Sequence, residues 1–204
     1  AGFAVSGGKI RYALTAIKGV GRTVIDAIVN ERALRGDYKD LEDFITRNAG
    51  GELNKRVVEN FIKAGAFDSF LGTRKQFMSV YPGMMDKILG NLKNNMAGQM
   101  SLFDIASDSQ KEEFEFKLPD VGEFPKEFRL ALEKDVLGIY VSGHPLEAYE
   151  KIWRDNITRM TSDLFFREEQ GGMNAGDGER GTLGGIIADK TIKYTKNNQA
   201  MAFI

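Results

Sequence analysis

The chain has 204 residues, of which 42% are hydrophobic, enough for one large domain or two small ones with packed cores. Because it has no cysteine and a single histidine, it can form neither a disulfide nor a thiolate or multi-histidine metal site. The net charge of -1 argues against a broad electrostatic contact with nucleic acid and leaves room for local contacts. No run approaches the roughly 18 apolar residues that cross a bilayer, so we expect a cytoplasmic protein without a membrane partner.

Short helices separated by glycine-containing turns are predicted for the first part of the chain. Asp40 and Asn54 stand at positions typical of N-cap residues, each just before an apolar helical pattern. Thr73 and Gln76 have the spacing of a capping box, which predicts the start of another helix. Pro82 is expected to kink or end that helix.

A polar stretch separates this helical part from the rest. The helical pattern fades around residue 94, and the sequence from 104 to 123 has little periodicity, which predicts a linker. A helix is expected to begin at Pro125 and to end near Gly138. A further helix is predicted to begin at Pro145, with four residues buried on one face: Leu146, Tyr149, Ile152 and Trp153.

Strand character marks the last part of the sequence. It extends from Gly181 to Thr195, and residues 196–199 form a predicted turn into a second strand over 200–204. A two-stranded hairpin is marginal in water by itself, so these strands are expected to begin a larger, truncated barrel.

A glycine turn between two helical patterns is the first feature with a chemical function. It consists of Ile17-Lys18-Gly19-Val20-Gly21-Arg22-Thr23, the arrangement of a helix-hairpin-helix motif. Glycine permits a tight hairpin and a close approach of backbone to DNA, and the next helix offers unpaired N–H groups. Residues 18–23 are therefore the predicted phosphate-binding site, with Lys18 and Arg22 as added charges. The alternative is an ordinary turn between two helices.

A second, degenerate copy of this layout lies farther along. Val57 to Phe67 repeats the helix and turn, with Gly65-Ala66-Phe67-Asp68 as the turn. Phe67 replaces the glycine that would approach DNA closely, so its expected role is packing. Phosphate contact is accordingly predicted for the first hairpin alone.

The second feature is a short apolar peptide in polar surroundings. Gln99-Met100-Ser101-Leu102-Phe103 places a Leu-Phe pair where order is expected to drop, although both side chains would gain from burial. The peptide resembles the one by which bacterial replication proteins bind the sliding clamp. In this resemblance Gln99 is a polar anchor, Leu102 and Phe103 fill an apolar pocket, and Met100 and Ser101 are spacers. The alternative is that the pair folds back onto the protein's own core.

Four segments, taken in order, resemble the alpha subunits of bacterial DNA polymerase III, a family of replicative polymerases. They are Arg11-Tyr12-Ala13-Leu14 leading into Ile17-Lys18-Gly19-Val20-Gly21, then Phe61-Ile62-Lys63-Ala64-Gly65-Ala66-Phe67-Asp68, then Gln99 to Phe103, and Leu137-Gly138-Ile139-Tyr140-Val141-Ser142-Gly143-His144-Pro145-Leu146. The resemblance covers essentially the whole chain, and the ordered set is far more specific than any one segment.

The resemblance implies an α+β fold, mainly α, with four parts. These are a tandem helix-hairpin-helix DNA-binding domain over 1–93, a linker with the clamp-binding peptide over 94–124, a helical connecting segment over 125–178, and the first strands of an oligonucleotide-binding (OB) barrel over 179–204. The implied partners are double-stranded DNA, bound without sequence preference, the sliding clamp (beta subunit) and other replicase subunits. The catalytic centre and its Mg2+ would lie outside this chain, so neither a cofactor nor polymerisation is expected of it alone.

Other functions fit parts of the pattern. A stand-alone adaptor in DNA repair or recombination could combine a helix-hairpin-helix with a clamp peptide, and a purely structural domain could use both hairpins for packing. The carboxylates are scattered on polar faces, so no catalytic pair and no metal site is predicted. His144 stands between Gly143 and Pro145, where it is expected to shape a turn and the start of a helix rather than to act in catalysis.

Overall fold

The structure, a computed structural model, describes residues 2–96, 116–164, 176 and 178–203. Helices predominate in these residues, and the described strands form two small antiparallel sheets. The predicted class, α+β and mainly α, is confirmed. The chain divides into two compact units, Ala1–Ser142 and Gly143–Ile204.

The first unit combines a strand pair with helices. Its described elements, in chain order, are β1 (Ala4–Ser6), β2 (Lys9–Arg11), a one-turn 3₁₀ helix (Leu14–Ala16), α1 (Arg22–Arg35), α2 (Leu41–Asn48), α3 (Lys55–Lys63), α4 (Arg74–Met96) and α5 (Lys126–Leu137). The strands β1 and β2 pair antiparallel, with Val5 opposite Ile10. A longer helix is expected directly before the glycine turn at residues 17–23. The chain forms the one-turn 3₁₀ helix there instead.

The helix N-termini lie where the capping residues predicted them. Asp40 accepts a hydrogen bond from the Asp43 amide at 2.8 Å and caps α2. Asn54 accepts one from the Val57 amide at 3.1 Å and caps α3. For α4, the Thr73 amide donates to the Gln76 side chain at 2.9 Å, and the Gln76 amide donates to the Thr73 hydroxyl at 3.2 Å. All three caps are confirmed, as is the end of α5 at Gly138, which adopts the left-handed conformation.

Of the two outcomes expected at Pro82, a kink or a helix end, the helix end is wrong. α4 continues through Pro82 to Met96. Tyr81 precedes the proline on the buried face, and Met84 and Met85 follow it there. Burial of these side chains outweighs the single hydrogen bond that proline cannot donate.

Aromatic rings make the centre of the core in the first unit. The rings of Phe44 and Phe67 meet edge to face with centroids 4.9 Å apart, and Phe61 lies 6.0 Å from Phe67 in the same geometry. Phe67, in the turn between α3 and α4, is buried as predicted. Aliphatic side chains of α1 to α4 surround these rings: Val24, Ile28, Leu41, Ile45, Val57, Val58, Ile62, Met84 and Met85.

Residues 116–124, within the range assigned to the linker, run antiparallel along α4. Phe116 lies beneath the ammonium group of Lys87 in the middle of the helix, at 4.7 Å from the ring centre. Gln76 donates to the Pro119 carbonyl at 2.8 Å, near the N-terminus of the helix. Glu123 then accepts hydrogen bonds from the first two amides of α4, at 3.0 and 3.2 Å. The polar sequence of this segment thus caps a helix and belongs to the first unit.

A buried ion pair joins α4 to α5. Arg74, 4% exposed, donates to Glu133, 0% exposed, at 2.9 Å. The same guanidinium donates to Asp68 at 2.6 and 2.8 Å, and the second oxygen of Glu133 accepts from the amides of Val141 and Ser142. Burial acts to raise the pKa of Glu133, but the hydrogen bonds from Ser142, Val141 and Arg74 together outweigh it, so the pKa lies below its ordinary value.

The second unit is built from short elements. They are a 3₁₀ helix (Pro145–Tyr149), α6 (Glu150–Asn156), a 3₁₀ helix (Thr161–Leu164), β3 (Thr191–Tyr194) and β4 (Ala200–Phe203). His144 begins the first of them: its Nδ1 accepts from the Leu146 amide, and its own amide donates to Glu147. The expected position of His144 at a turn and helix start is confirmed.

Two expectations for the second unit are wrong in part. Tyr149 and Ile152 are 57% and 62% exposed, whereas Leu146 and Trp153 are half-buried. No residue in the described part of this unit is fully buried, so there is no core to cover them. The strand expected over 181–195 is limited to Thr191–Tyr194. The turn over 196–199 is confirmed by a hydrogen bond from the Thr195 amide to the Gln199 carbonyl at 2.9 Å.

A search of the described residues for a helix with the length and hydropathy of a membrane span finds none.

We expect Glu133→Gln to lower the free energy of unfolding at neutral pH by about 3 kcal/mol, because it removes the buried counter-charge of Arg74. Since the folded-state pKa of Glu133 is depressed, its contribution is complete above the unfolded-state pKa and is lost as the pH falls through the folded-state pKa. Urea unfolding at neutral and at stepwise lower pH should therefore show the variant converging on the wild type in acid.

The matched control is Glu127→Gln, which changes an exposed carboxylate in the first turn of the same helix. Its effect should stay below about 1 kcal/mol, the range of a surface charge at a helix end. Equal losses in the two variants would contradict the role assigned to Glu133.

Candidate nucleic-acid interface

The first hairpin, residues 17–23, is a tight turn fixed at both sides. Its Val20 amide donates to the Ile17 carbonyl at 3.3 Å, and Gly19 adopts a φ of +72, which favours glycine. Ile17 is buried and Val20 half-buried, so these two side chains attach the turn to the core. The other predicted site residues are exposed: Lys18, Gly19, Gly21, Arg22 and Thr23.

The N-terminus of α1 is open to an anion. Gly21 is its N-cap residue, and no side chain in the described structure makes a capping hydrogen bond to this helix end. A Cβ added at Gly21 would have no described atom within 4 Å. The first N–H groups of a helix lack partners within the helix and lie at its positive end. The N–H groups at this end are therefore not occupied by a side-chain cap, and the space at Gly21 is open, which is the arrangement that suits a phosphate oxygen.

The two glycines have different physical roles. A Cβ at Gly19 would lie 3.0 Å from the Asn60 side-chain nitrogen and 3.6 Å from the Arg56 Nε. Gly19 is thus required by its backbone conformation and by its neighbours in α3. Gly21 has an ordinary φ of -75 and open space around it. It leaves room on the solvent side of the hairpin, where a ligand would approach.

Two residues of α3 belong to this site although sequence reasoning did not find them. Asn60 donates to the Lys18 carbonyl at 2.7 Å and holds the hairpin from behind. Arg56 is exposed beside Gly19 and brings a third cation to the hairpin. The one signal in the sequence was an asparagine at a position that the helical period places on the buried face of α3.

Charge at the hairpin is positive with one acidic neighbour. Arg22 and Asp26 form an exposed i,i+4 pair with a separation of 3.8 Å. An exposed pair of this kind contributes at most about 1 kcal/mol, so it does not prevent Arg22 from binding an anion. Lys18 is exposed at the opposite end of the turn.

The predicted clamp peptide, residues 99–103, lies outside the described residues. Gln99, Met100, Ser101, Leu102 and Phe103 therefore remain a prediction from the sequence. Within the ranges that the structure describes, no group of three or more His, Cys, Asp or Glu side chains could hold a metal ion.

Comparison with known proteins supports the helix-hairpin-helix motif and the similarity to polymerase alpha subunits along the chain. A family model described as "Helix-hairpin-helix motif" matches residues 1–77, which contain both hairpin turns. The DNA polymerase III subunit alpha of Mycobacterium tuberculosis is 39% identical over 203 residues, covering 98% of this chain and 17% of the relative. That of Aquifex aeolicus is 36% identical over 202 residues, covering 98% and 15%.

A third relative, the DNA polymerase III subunit alpha of Deinococcus radiodurans, is 32% identical over 200 residues, covering 98% of this chain and 15% of its own length. The chain thus spans about a sixth of the length of the curated relatives that it matches. Over nearly its whole length, the chain is a homologue of one segment of the DNA polymerase III alpha subunits.

Proposed function

We propose that this chain is the DNA-binding and sliding-clamp-tethering region of a bacterial replicative DNA polymerase. In this proposal residues 18–23 bind the phosphate backbone of duplex DNA. The observation that carries the DNA-binding part is the uncapped N-terminus of α1 behind Gly21. Backbone N–H groups recognise phosphate oxygens and not base edges, so binding is independent of sequence.

Cations from two elements support the same contact. Lys18 and Arg22 flank the turn, and Arg56 reaches its side from α3. Each would interact with a phosphate as an exposed charge, which gives a modest contribution that depends on salt. The net charge of -1 for the whole chain fits a contact confined to this small area.

The clamp part of the proposal is carried by the sequence of residues 99–103 and by homology to polymerase alpha subunits. Gln99 would serve as the polar anchor, and Leu102 with Phe103 would fill an apolar pocket of the clamp. Two weak contacts on one chain raise each other's effective concentration, because dissociation requires both to open together. The joint result would be processive DNA synthesis.

Catalysis, its Mg2+ and contacts with other replicase subunits are proposed for the larger protein, and not for this chain.

We also propose that β3 and β4 are strands of an OB barrel. Tyr194 and Phe203 are exposed on this hairpin, and further strands would cover such side chains.

The adaptor hypothesis is the second candidate for the same two elements. Homology that extends over 98% of the chain, including the part beyond residue 103, favours the polymerase assignment. A reading frame with polymerase motifs on both sides of this segment would decide between the two.

Gly21→Leu is expected to weaken duplex binding by roughly ten- to a hundredfold, the effect of losing one charge-assisted hydrogen bond. The side chain would stand over the open N-terminus of α1, and the φ of -75 accommodates it. Fluorescence anisotropy with a labelled duplex measures the change. Gly83→Leu is the matched control, because Gly83 is exposed in α4 with no described atom within 4 Å of the added Cβ. Equal affinities for the two variants would contradict the site.

The salt dependence of duplex binding should be shallow, with a slope of about -0.9 per phosphate contacted. Lys18→Ala and Arg56→Ala should each make the slope less steep, by up to about 0.9, whereas Lys151→Ala, in the second unit, should not change it. Duplexes of unrelated sequence should bind equally. A strong preference for one sequence would argue against backbone recognition.

Leu102→Ala combined with Phe103→Ala should sharply weaken binding to a sliding clamp, because both pocket residues are lost. Met100→Ala, at a spacer position, should bind as the wild type does. Competition between the chain and a labelled peptide of residues 97–105 for the clamp measures both. Unchanged affinity of the double variant would remove the clamp assignment and leave the DNA site unaffected.

A further inference from the structure

The C-terminal end of α5 packs behind the first hairpin, residues 17–23, on the side facing away from solvent. The last four carbonyls of a helix have no partner within the helix and must be satisfied elsewhere. Two of these carbonyls in α5 accept hydrogen bonds from the region of the hairpin. The Lys18 amide donates to the Val136 carbonyl at 2.9 Å, and the Tyr12 hydroxyl donates to the Leu137 carbonyl at 2.9 Å.

The other backbone group of Lys18 is held by α3. Its carbonyl accepts the hydrogen bond from Asn60, whose side chain is 8% exposed. Both polar backbone groups of Lys18 are therefore bound by residues far away in sequence. Since Gly19 to Gly21 follow directly, these two bonds set the direction in which the exposed part of the turn points.

α5 is itself fixed to the body of the first unit. Glu133 lies one turn before its C-terminal end and is held by Arg74 of α4. The amides of Val141 and Ser142 bind the same carboxylate and fix the chain just after the helix. The two carbonyls that meet the hairpin are thus rigidly placed relative to α3 and α4.

We infer that Tyr12 and Asn60 are positioning residues of the phosphate-binding hairpin, and that the C-terminal end of α5 is its structural support. The inference rests on the proposed DNA binding by residues 18–23. Asn60 acts on the Lys18 carbonyl directly, whereas Tyr12 acts through the Leu137 carbonyl at the end of α5, next to the Val136 carbonyl that binds the Lys18 amide. Neither side chain is proposed to contact the phosphate. They hold the turn in its binding conformation before DNA arrives, so less conformational freedom is lost on binding. α5 lies beyond residue 77, where the match to the helix-hairpin-helix family ends.

Two substitutions in the full chain test this inference. Tyr12→Phe removes one hydroxyl, and Asn60→Leu replaces the amide with an apolar group of similar size. Each should weaken binding of a labelled duplex by roughly 3- to 10-fold, the effect of one hydrogen bond. The slope of affinity against salt should also become less steep, because a displaced turn contacts fewer phosphates. Hydrogen exchange at the Lys18 amide should become faster in both variants.

Tyr38→Phe is the matched control. Its hydroxyl donates to the Ile28 carbonyl at 3.0 Å and accepts from the Asn48 side chain at 3.1 Å, so its partners lie in neither the hairpin nor α5. It should leave affinity, salt slope and Lys18 exchange unchanged, although its melting temperature should fall at least as much as that of Tyr12→Phe. An effect on DNA binding equal to that of Tyr12→Phe would overturn the inference, because loss of stability alone would then explain both.

The outcomes also separate the inference from the proposed function. If Gly21→Leu weakens duplex binding while Tyr12→Phe and Asn60→Leu bind as the wild type does, the positioning role is wrong and the DNA site stands. If the wild-type chain binds no duplex, both fail. If Asn60→Leu does not fold, Tyr12→Phe with the exchange rate of the Lys18 amide decides the matter.

Discussion

The guanidinium of Arg74 connects three parts of the first unit. It binds Glu133 of α5, Asp68 in the turn after α3, and the carbonyl of Lys63 at the end of α3. Charges removed from water are tolerated only when their partners are complete, so the network fixes the positions of all three parts. Gly65 makes it possible, because a Cβ there would lie 2.1 Å from the Arg74 Nη2 atom. In the second hairpin the glycine thus makes room for the protein's own cation.

The first hairpin has a glycine that leaves space toward solvent, and not toward a buried cation. Its Gly19 turns the chain against α3, and Gly21 keeps the outer side open to solvent. The cations near it are exposed and are not committed to a buried network. The two copies of the helix-turn-helix layout therefore have different roles: the second packs in the core, and the first is a candidate contact with DNA. The rigid core formed by the second copy supports the exposed conformation of the first.

Features with short sequence separation could be predicted, and those with long separation could not. The caps at Asp40 and Asn54 join groups three residues apart, so the local sequence contains the whole interaction. The bond from Asn60 to Lys18 spans 42 positions, and the caps that Glu123 provides for α4 span 48 and 49. Because its partners are that far away, a polar residue such as Glu123 is assigned to a linker when the sequence alone is considered. Only the folded chain brings these groups together.

Met96 and Phe116, the described residues on either side of 97–115, belong to the same compact unit. The chain leaves α4 at Met96 and returns at Phe116 beside Lys87, roughly 14 Å back along the helix at 1.5 Å per residue. Under the proposed clamp binding by residues 99–103, a pull from the clamp would therefore reach one helix at two points of the same unit, and not a joint between domains.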